Sequence, residues 1–110
     1  MRIAVPSTGK RKLSNKIAPT FSRTPEFTIV TIEENQIKTA EIVSNPGSTP
    51  ERGAGPLAAR TLKENNVDVL LTVEMGPGAK SILETLGIQI ELVDSEKSVK
   101  KLVEEYLGLN

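Results

Sequence analysis

The apolar residues of the chain fall into two rhythms. Val67-Asp68-Val69-Leu70-Leu71-Thr72-Val73 is almost continuously aliphatic, the pattern of a strand buried on both faces and central in a parallel sheet. Glu74-Met75-Gly76-Pro77-Gly78 breaks the run. Ala79, Ile82, Leu83 and Leu86 then recur at helical spacing up to Gly87, a residue suited to a left-handed cap. A core strand that turns through glycine into a helix marks the corner where open α/β sheets bind ligands.

From the start of the chain, Arg2-Ile3-Ala4-Val5 reads as a first strand whose pairing Pro6 is expected to end. Leu13, Ile17 and Phe21 recur every four residues in a segment that Pro19 and Pro25 keep from becoming a helix; they are expected to tack a long loop to the core. Phe27-Thr28-Ile29-Val30-Thr31-Ile32 is a β-branched strand, Glu33-Glu34-Asn35-Gln36 a turn, and Ile37 to Val43 the returning strand of a hairpin. Alternation in that third strand is imperfect. Ile37, Thr39, Glu41 and Val43 fall on one face, and Lys38, Ala40, Ile42 and Ser44 on the other.

Asn45-Pro46-Gly47-Ser48-Thr49-Pro50 carries turn signals throughout. Glu51-Arg52-Gly53-Ala54-Gly55-Pro56 leads into a helix with Pro56 in its first turn, Ala54, Leu57, Ala58 and Leu62 on its apolar face, and Asn65 or Asn66 at its end. The central strand follows at once, which makes this helix the crossover of a parallel β-α-β unit. Ile88 to Val93 alternates like a strand near a sheet edge. Asp94 or Ser95 is expected to cap a last helix with Val99, Leu102, Val103, Tyr106 and Leu107 inward and Gly108 at its end. The chain reads as one domain over residues 1–110.

Composition removes several chemistries. Phe21, Phe27 and Tyr106 are the only aromatic residues, so the core is aliphatic and stacking platforms for single-stranded nucleic acid are not expected. Cys and His are absent, which excludes disulfides, thiolate zinc sites, Cys-ligated iron–sulfur clusters and every Ser-His or Cys-His mechanism. No apolar stretch approaches a membrane span, and the opening residues are too short for a signal peptide, so a cytoplasmic protein is expected. Ser7-Thr8-Gly9-Lys10 follows a strand as a nucleotide-binding loop would, but it has one glycine before Lys10 and no Ser or Thr directly after it.

Charge changes the picture further. Net charge is zero, yet residues 1–25 hold Arg2, Lys10, Arg11, Lys12, Lys16 and Arg23 and no acid. If strands one, three, four and five run together against strand two, the loops Pro6–Pro25, Ser44–Pro56 and Glu74–Gly78 gather on one rim. There a basic loop would face two helix N-termini whose exposed N–H groups and dipoles favour an anion. The plain alternatives are a solvated basic loop, and glycines at 53, 55, 76 and 78 that serve tight turning and close helix–sheet packing.

In order and spacing, several segments resemble the dinitrogenase iron–molybdenum cofactor biosynthesis family, which includes NifX-like proteins and the C-terminal region of NifB. They are Met1-Arg2-Ile3-Ala4-Val5-Pro6, Phe21-Ser22-Arg23-Thr24-Pro25-Glu26-Phe27, Glu41-Ile42-Val43-Ser44-Asn45-Pro46, Gly53-Ala54-Gly55, Gly76-Pro77-Gly78-Ala79, Leu86-Gly87-Ile88 and Ser98-Val99. The resemblance covers nearly the whole chain. It implies an α/β ribonuclease H-like fold: a five-stranded mixed sheet of order 3-2-1-4-5, strand two antiparallel, with about three helices. It also implies a non-enzymatic role in binding or carrying an anionic iron–sulfur cofactor precursor.

Members of that family commonly read His-Phe-Gly-Arg-Ala-Pro where this chain has Thr20-Phe21-Ser22-Arg23-Thr24-Pro25, so the histidine that is the natural cluster ligand of that motif is missing, with Thr20 in its place. Ionic holding remains open to such an anion. The expected contacts are Phe21 and Arg23 from the basic loop, Gly53 and Gly55 at one helix start, and Gly76, Pro77 and Gly78 at the other. A nuclease of this fold would need several carboxylates around paired metals. The first strand has none, and Glu74 is the only acid well placed, as a lone base, a hydrogen-bond acceptor or an exposed loop acid. Two other roles stay open: a binding module for a small anionic metabolite without any cluster, and an adaptor for a protein partner.

Overall fold

A computed structural model describes residues 1–48 and 53–109. The turn expected at Thr49-Pro50 and the lead-in at Glu51-Arg52 lie outside the described residues. Strands β1 (Arg2–Ser7), β2 (Glu26–Glu33), β3 (Gln36–Ser44), β4 (Val69–Thr72) and β5 (Gln89–Leu92) form one sheet in the order β3-β2-β1-β4-β5. β2 runs antiparallel to β1 and β3, while β1, β4 and β5 are parallel. Helices α1 (Ala54–Glu64), α2 (Pro77–Thr85) and α3 (Val99–Leu107) complete the architecture that the resemblance implied.

The period-two geometry of β1 divides the core. Ala4 joins Phe21, Phe27, Ile29, Ala58, Leu62, Leu70 and Leu83 on the face covered by α1 and α2. Ile3 and Val5 join Val30, Leu71, Val99, Leu102 and Val103 on the face covered by α3. β4 is buried along its whole length, and its neighbours Leu70 and Leu71 point to opposite faces. Full burial of such a side chain stabilises the fold by about 1.5–3 kcal/mol, so this strand ties both layers together.

The hairpin explains the broken alternation of β3. Its two-residue turn, Glu34-Asn35, has both φ angles positive (52° and 62°), as the tight turns that match strand twist require. The register then shifts. Thr31 faces Thr39 but Ile32 faces Ile37, which leaves Lys38 as a bulge. That extra residue puts Ile37 and Ala40 on the α3 face although they are three apart, and Val43 packs on the other.

Three expectations are corrected. Pro6 does not end β1: it faces Phe27 within the strand, and Ser7 faces Glu26. The Pro6 carbonyl accepts from Ala18 N–H at 2.7 Å on the side away from β2, so the missing proline N–H falls outside the β1–β2 ladder. The cap of α3 is neither Asp94 nor Ser95 but Ser98, four residues after Asp94, whose hydroxyl accepts from the Lys101 N–H at 3.1 Å; Ser95 and Glu96 belong to the preceding turn, with Glu96 at φ 68°. The long β1–β2 connection does not stay on one face. Leu13 and Ile17 pack with α3, whereas Phe21 packs under α1 and α2. The stretch carrying Lys10, Arg11, Lys12 and Lys16 is therefore tied to the α3 side, where Asn15 O accepts from Val99 N–H and Ile17 N–H donates to Lys97 O.

Candidate functional site

The C-terminal ends of the parallel strands and the N-terminal ends of the helices share one rim. Phe21-Ser22-Arg23-Thr24 crosses it as a tight turn, with Thr24 N–H donating to Phe21 O at 3.4 Å. The turn is held from three sides. Phe21 is 1% exposed as a residue and its ring sits tilted on that of Phe27 with ring centres 5.7 Å apart, so it anchors the turn from below. Phe21 N–H donates to Glu74 Oε1 at 3.3 Å, which gives Glu74 a structural acceptor role at the end of the central strand. The Thr24 hydroxyl reaches the carbonyls of Glu26 at 3.0 Å and Ser7 at 3.2 Å.

Asn45 adds a further hold, at a position where the sequence signals predict only a loop. Its side-chain amide donates to Ser22 O at 3.0 Å and Thr24 O at 2.8 Å, and its Oδ1 accepts from Gly47 N–H at 2.9 Å. The residue is 3% exposed, so these bonds form out of water. Gly47 beside it is obligatory: a Cβ there would lie 2.5 Å from Ala54 O and 3.0 Å from Ser22 O. The signal available in the sequence was Asn45-Pro46-Gly47, a turn with a side chain able to bond its own backbone, but nothing local named its distant partners.

The two glycine corners flank this turn. A Cβ on Gly55 would stand 3.8 Å from Ser22 Oγ and 3.6 Å from the Ala79 methyl, so the first turn of α1 neighbours both the first turn of α2 and the Ser22 side chain. Gly53 caps α1 in the left-handed region at φ 74°. Gly76 caps α2 with extended backbone (φ −74°, ψ 154°), followed by Pro77 and Gly78 in the first turn. At Gly76 and Gly78 an added Cβ would meet nothing within 4 Å. Neither positive φ nor close packing requires glycine at these two places. Both helices start without a side-chain cap, so their first-turn N–H groups face outward without an intrahelical acceptor. Arg23, between Ser22 and Thr24, is exposed on this rim and engaged in an interaction of its own.

Among the described residues no three His, Cys, Asp or Glu side chains stand close enough to share a metal ion. The donors at the rim are backbone N–H groups, hydroxyls and Arg23, a set suited to holding an anion by charge and hydrogen bonds and not to ligating iron. No helix among the described residues is long and apolar enough to cross a membrane.

A family model described as "Dinitrogenase iron-molybdenum cofactor" matches residues 1–109. The chain belongs to this family. Among its relatives is the uncharacterized protein MJ0580 of Methanocaldococcus jannaschii, 32% identical over 90 residues that make up 82% of this chain and 72% of that protein. The apo form of the orange protein from Desulfovibrio gigas superposes with a TM-score of 0.87 at 33% identity, covering 98% of this chain and 88% of the other. TM1290 of Thermotoga, proposed to be a NifB protein, superposes with a TM-score of 0.78 at 26% identity, covering 96% and 85%. The family thus accounts for the sheet order and for the cofactor-related character of the chain.

Proposed function

We propose that this protein is a non-enzymatic accessory factor that holds an anionic iron–sulfur cofactor precursor as cargo, on the rim between the starts of α1 and α2. The observation that carries this reading is the pair of open glycines, Gly76 and Gly78, at an uncapped helix start beside the Ser22 turn. Glycine without a conformational or packing need leaves backbone N–H groups that a large anion can approach closely. Gly53 and Gly55 form a second uncapped helix start at α1, although Gly53 is also required by its left-handed backbone, and Arg23 adds a full positive charge. Phe21 contributes indirectly, by anchoring the turn that carries Arg23. Family membership supplies the cargo class, and the orange protein, a relative described in an apo form, supports reading the fold as a carrier. Such a carrier works in the cytoplasm.

The absence of thiolate and imidazole favours a second reading at the same rim, in which the anion is a small phosphorylated or carboxylated metabolite. Anaerobic reconstitution with iron and sulfide separates the two. Visible absorption that stays with the protein through desalting supports the cluster. No retained iron, with a rise in melting temperature from phosphate or carboxylate compounds, supports the metabolite. In either case Arg23→Ala is expected to weaken binding about tenfold, the loss of one charge-assisted contact, with the melting temperature of the free protein little changed. Unchanged affinity would remove Arg23 from the site.

A further inference from the structure

The two edges of the sheet are finished differently. β3 is blunted by the Lys38 bulge and by ion pairs from Lys38 to Glu33 and from Glu41 to Arg2. β5 has no bulge. Its Gln89 N–H donates to Asp68 O and the following Val93 N–H to Thr72 O, both toward β4. The alternate residues, Ile90 and Leu92, therefore turn their N–H and C=O groups outward. Leu92 is 66% exposed, well above the other exposed large hydrophobic residues among those described, Met1 and Leu109. On the α2 face of this edge lies a groove of about 510 Å³ lined by Met75, Lys80, Glu84, Ile88, Ile90 and Leu92.

We propose that β5 is the association edge for a second copy of this chain, paired antiparallel, β5 to β5, about a two-fold axis through Ile90. Three features of the edge complement themselves under that one axis. The outward backbone groups of Ile90 meet those of Ile90 in the second copy as a doubly bonded pair. Ile88 comes opposite Leu92 of the second copy, which closes the apolar groove, while Gln89 comes opposite Glu91 as an amide to a carboxylate. An axis through Glu91 would instead oppose two carboxylates, which disfavours that register. The third feature is on α2, where Lys80 and Glu84, both exposed, border the groove one helical turn apart. The axis reverses α2, so Lys80 of each copy faces Glu84 of the other. A partner of unrelated sequence would have to match all three, whereas a second copy matches them by symmetry.

A short edge strand buries little area, so the expected dimer is weak, with a dissociation constant on the order of 100 μM. Sedimentation velocity on the full chain from about 10 μM to about 1 mM should show conversion from monomer to dimer, with the Ile90 and Leu92 amides gaining exchange protection in step. Leu92→Lys, at an exposed position, should raise the dissociation constant about tenfold or more with an unchanged melting temperature. Lys80→Glu should raise it about threefold or more, and Lys80→Glu combined with Glu84→Lys should bring it back toward the wild-type value. A chain that stays monomeric throughout, a dimer indifferent to Leu92→Lys, or a double variant weaker than Lys80→Glu alone would each overturn the proposal.

Discussion

Three helices leave the same rim of the sheet, and they begin in two ways. α3 begins on Ser98, whose hydroxyl satisfies Lys101 N–H, and the Asn15 carbonyl takes the Val99 N–H, so its first turn is closed by the chain itself. α1 and α2 begin on Gly53 and Gly76, which supply no side-chain acceptor. Glycine at the cap position gives up only roughly a few tenths of a kcal/mol relative to Ser or Asp. A second open glycine at 78 costs about 1 kcal/mol of helix propensity, and keeping both at the start of α2 makes physical sense where something outside the chain meets those N–H groups. Two differently built helix starts on one rim thus set a structural end apart from the end proposed to bind.

The strongest way to break the binding end is to remove its clasp. Asn45→Ala strips bonds from Ser22 O, Thr24 O and Gly47 N–H in a buried place, and it should cost about 3 kcal/mol in urea unfolding while also abolishing ligand retention. At the closed end, Ser98→Ala should cost about 1 kcal/mol and leave binding intact. Gly78→Ala should act with the opposite sign. It is expected to raise stability by about 0.5–1 kcal/mol, because Gly78 is helical and a Cβ there meets open space, and yet to weaken anion binding. A destabilised Gly78→Ala would show that packing, and not a ligand, keeps the glycine.

The smallest effect concerns pH and belongs to the α3 side. The Lys97 ammonium is bonded to Glu105 and to Asp94, which raises its pKa above the ordinary 10.5. A pKa raised by folding means that the stabilisation is fully present below the unfolded value and fades as pH rises through the folded one. The stability gap between wild type and Lys97→Met should therefore be constant through neutral pH and close above about pH 10.5, as read by urea unfolding at each pH. Binding at the glycine corners should not follow that titration.

Much of this comparison was visible in the chain before its fold was known, because the signals are local. The aliphatic run at Val67–Val73, the helical spacing around Ile82 and Leu83, and the hairpin turn at Glu34-Asn35 each follow from side-chain period and turn chemistry. The sheet order followed from the family resemblance. What stayed hidden depends on distant partners. Lys38 reads as one position of an imperfectly alternating strand until Ile37 is seen against Ile32, since a bulge is a property of two strands. Pro6 reads as a stop until the free side of its nitrogen is known. Asp94 and Ser95 are as good a cap as Ser98 by residue type, and only the turn through Glu96 decides between them. At the candidate site the glycines were legible, while the Asn45 clasp joins residues more than twenty positions apart and left no local trace.

The claim that the α2 start is a binding end is tested most directly by one substitution, Gly76→Asp, in a single experiment. The extended backbone at 76 accepts a capping aspartate, so the free variant should unfold no more easily than wild type. Its carboxylate would occupy the same N–H groups and repel an anion. After anaerobic reconstitution with iron and sulfide and desalting, wild type is predicted to keep iron and visible absorption, and Gly76→Asp to lose most of both. Equal retention by the two proteins would contradict the account.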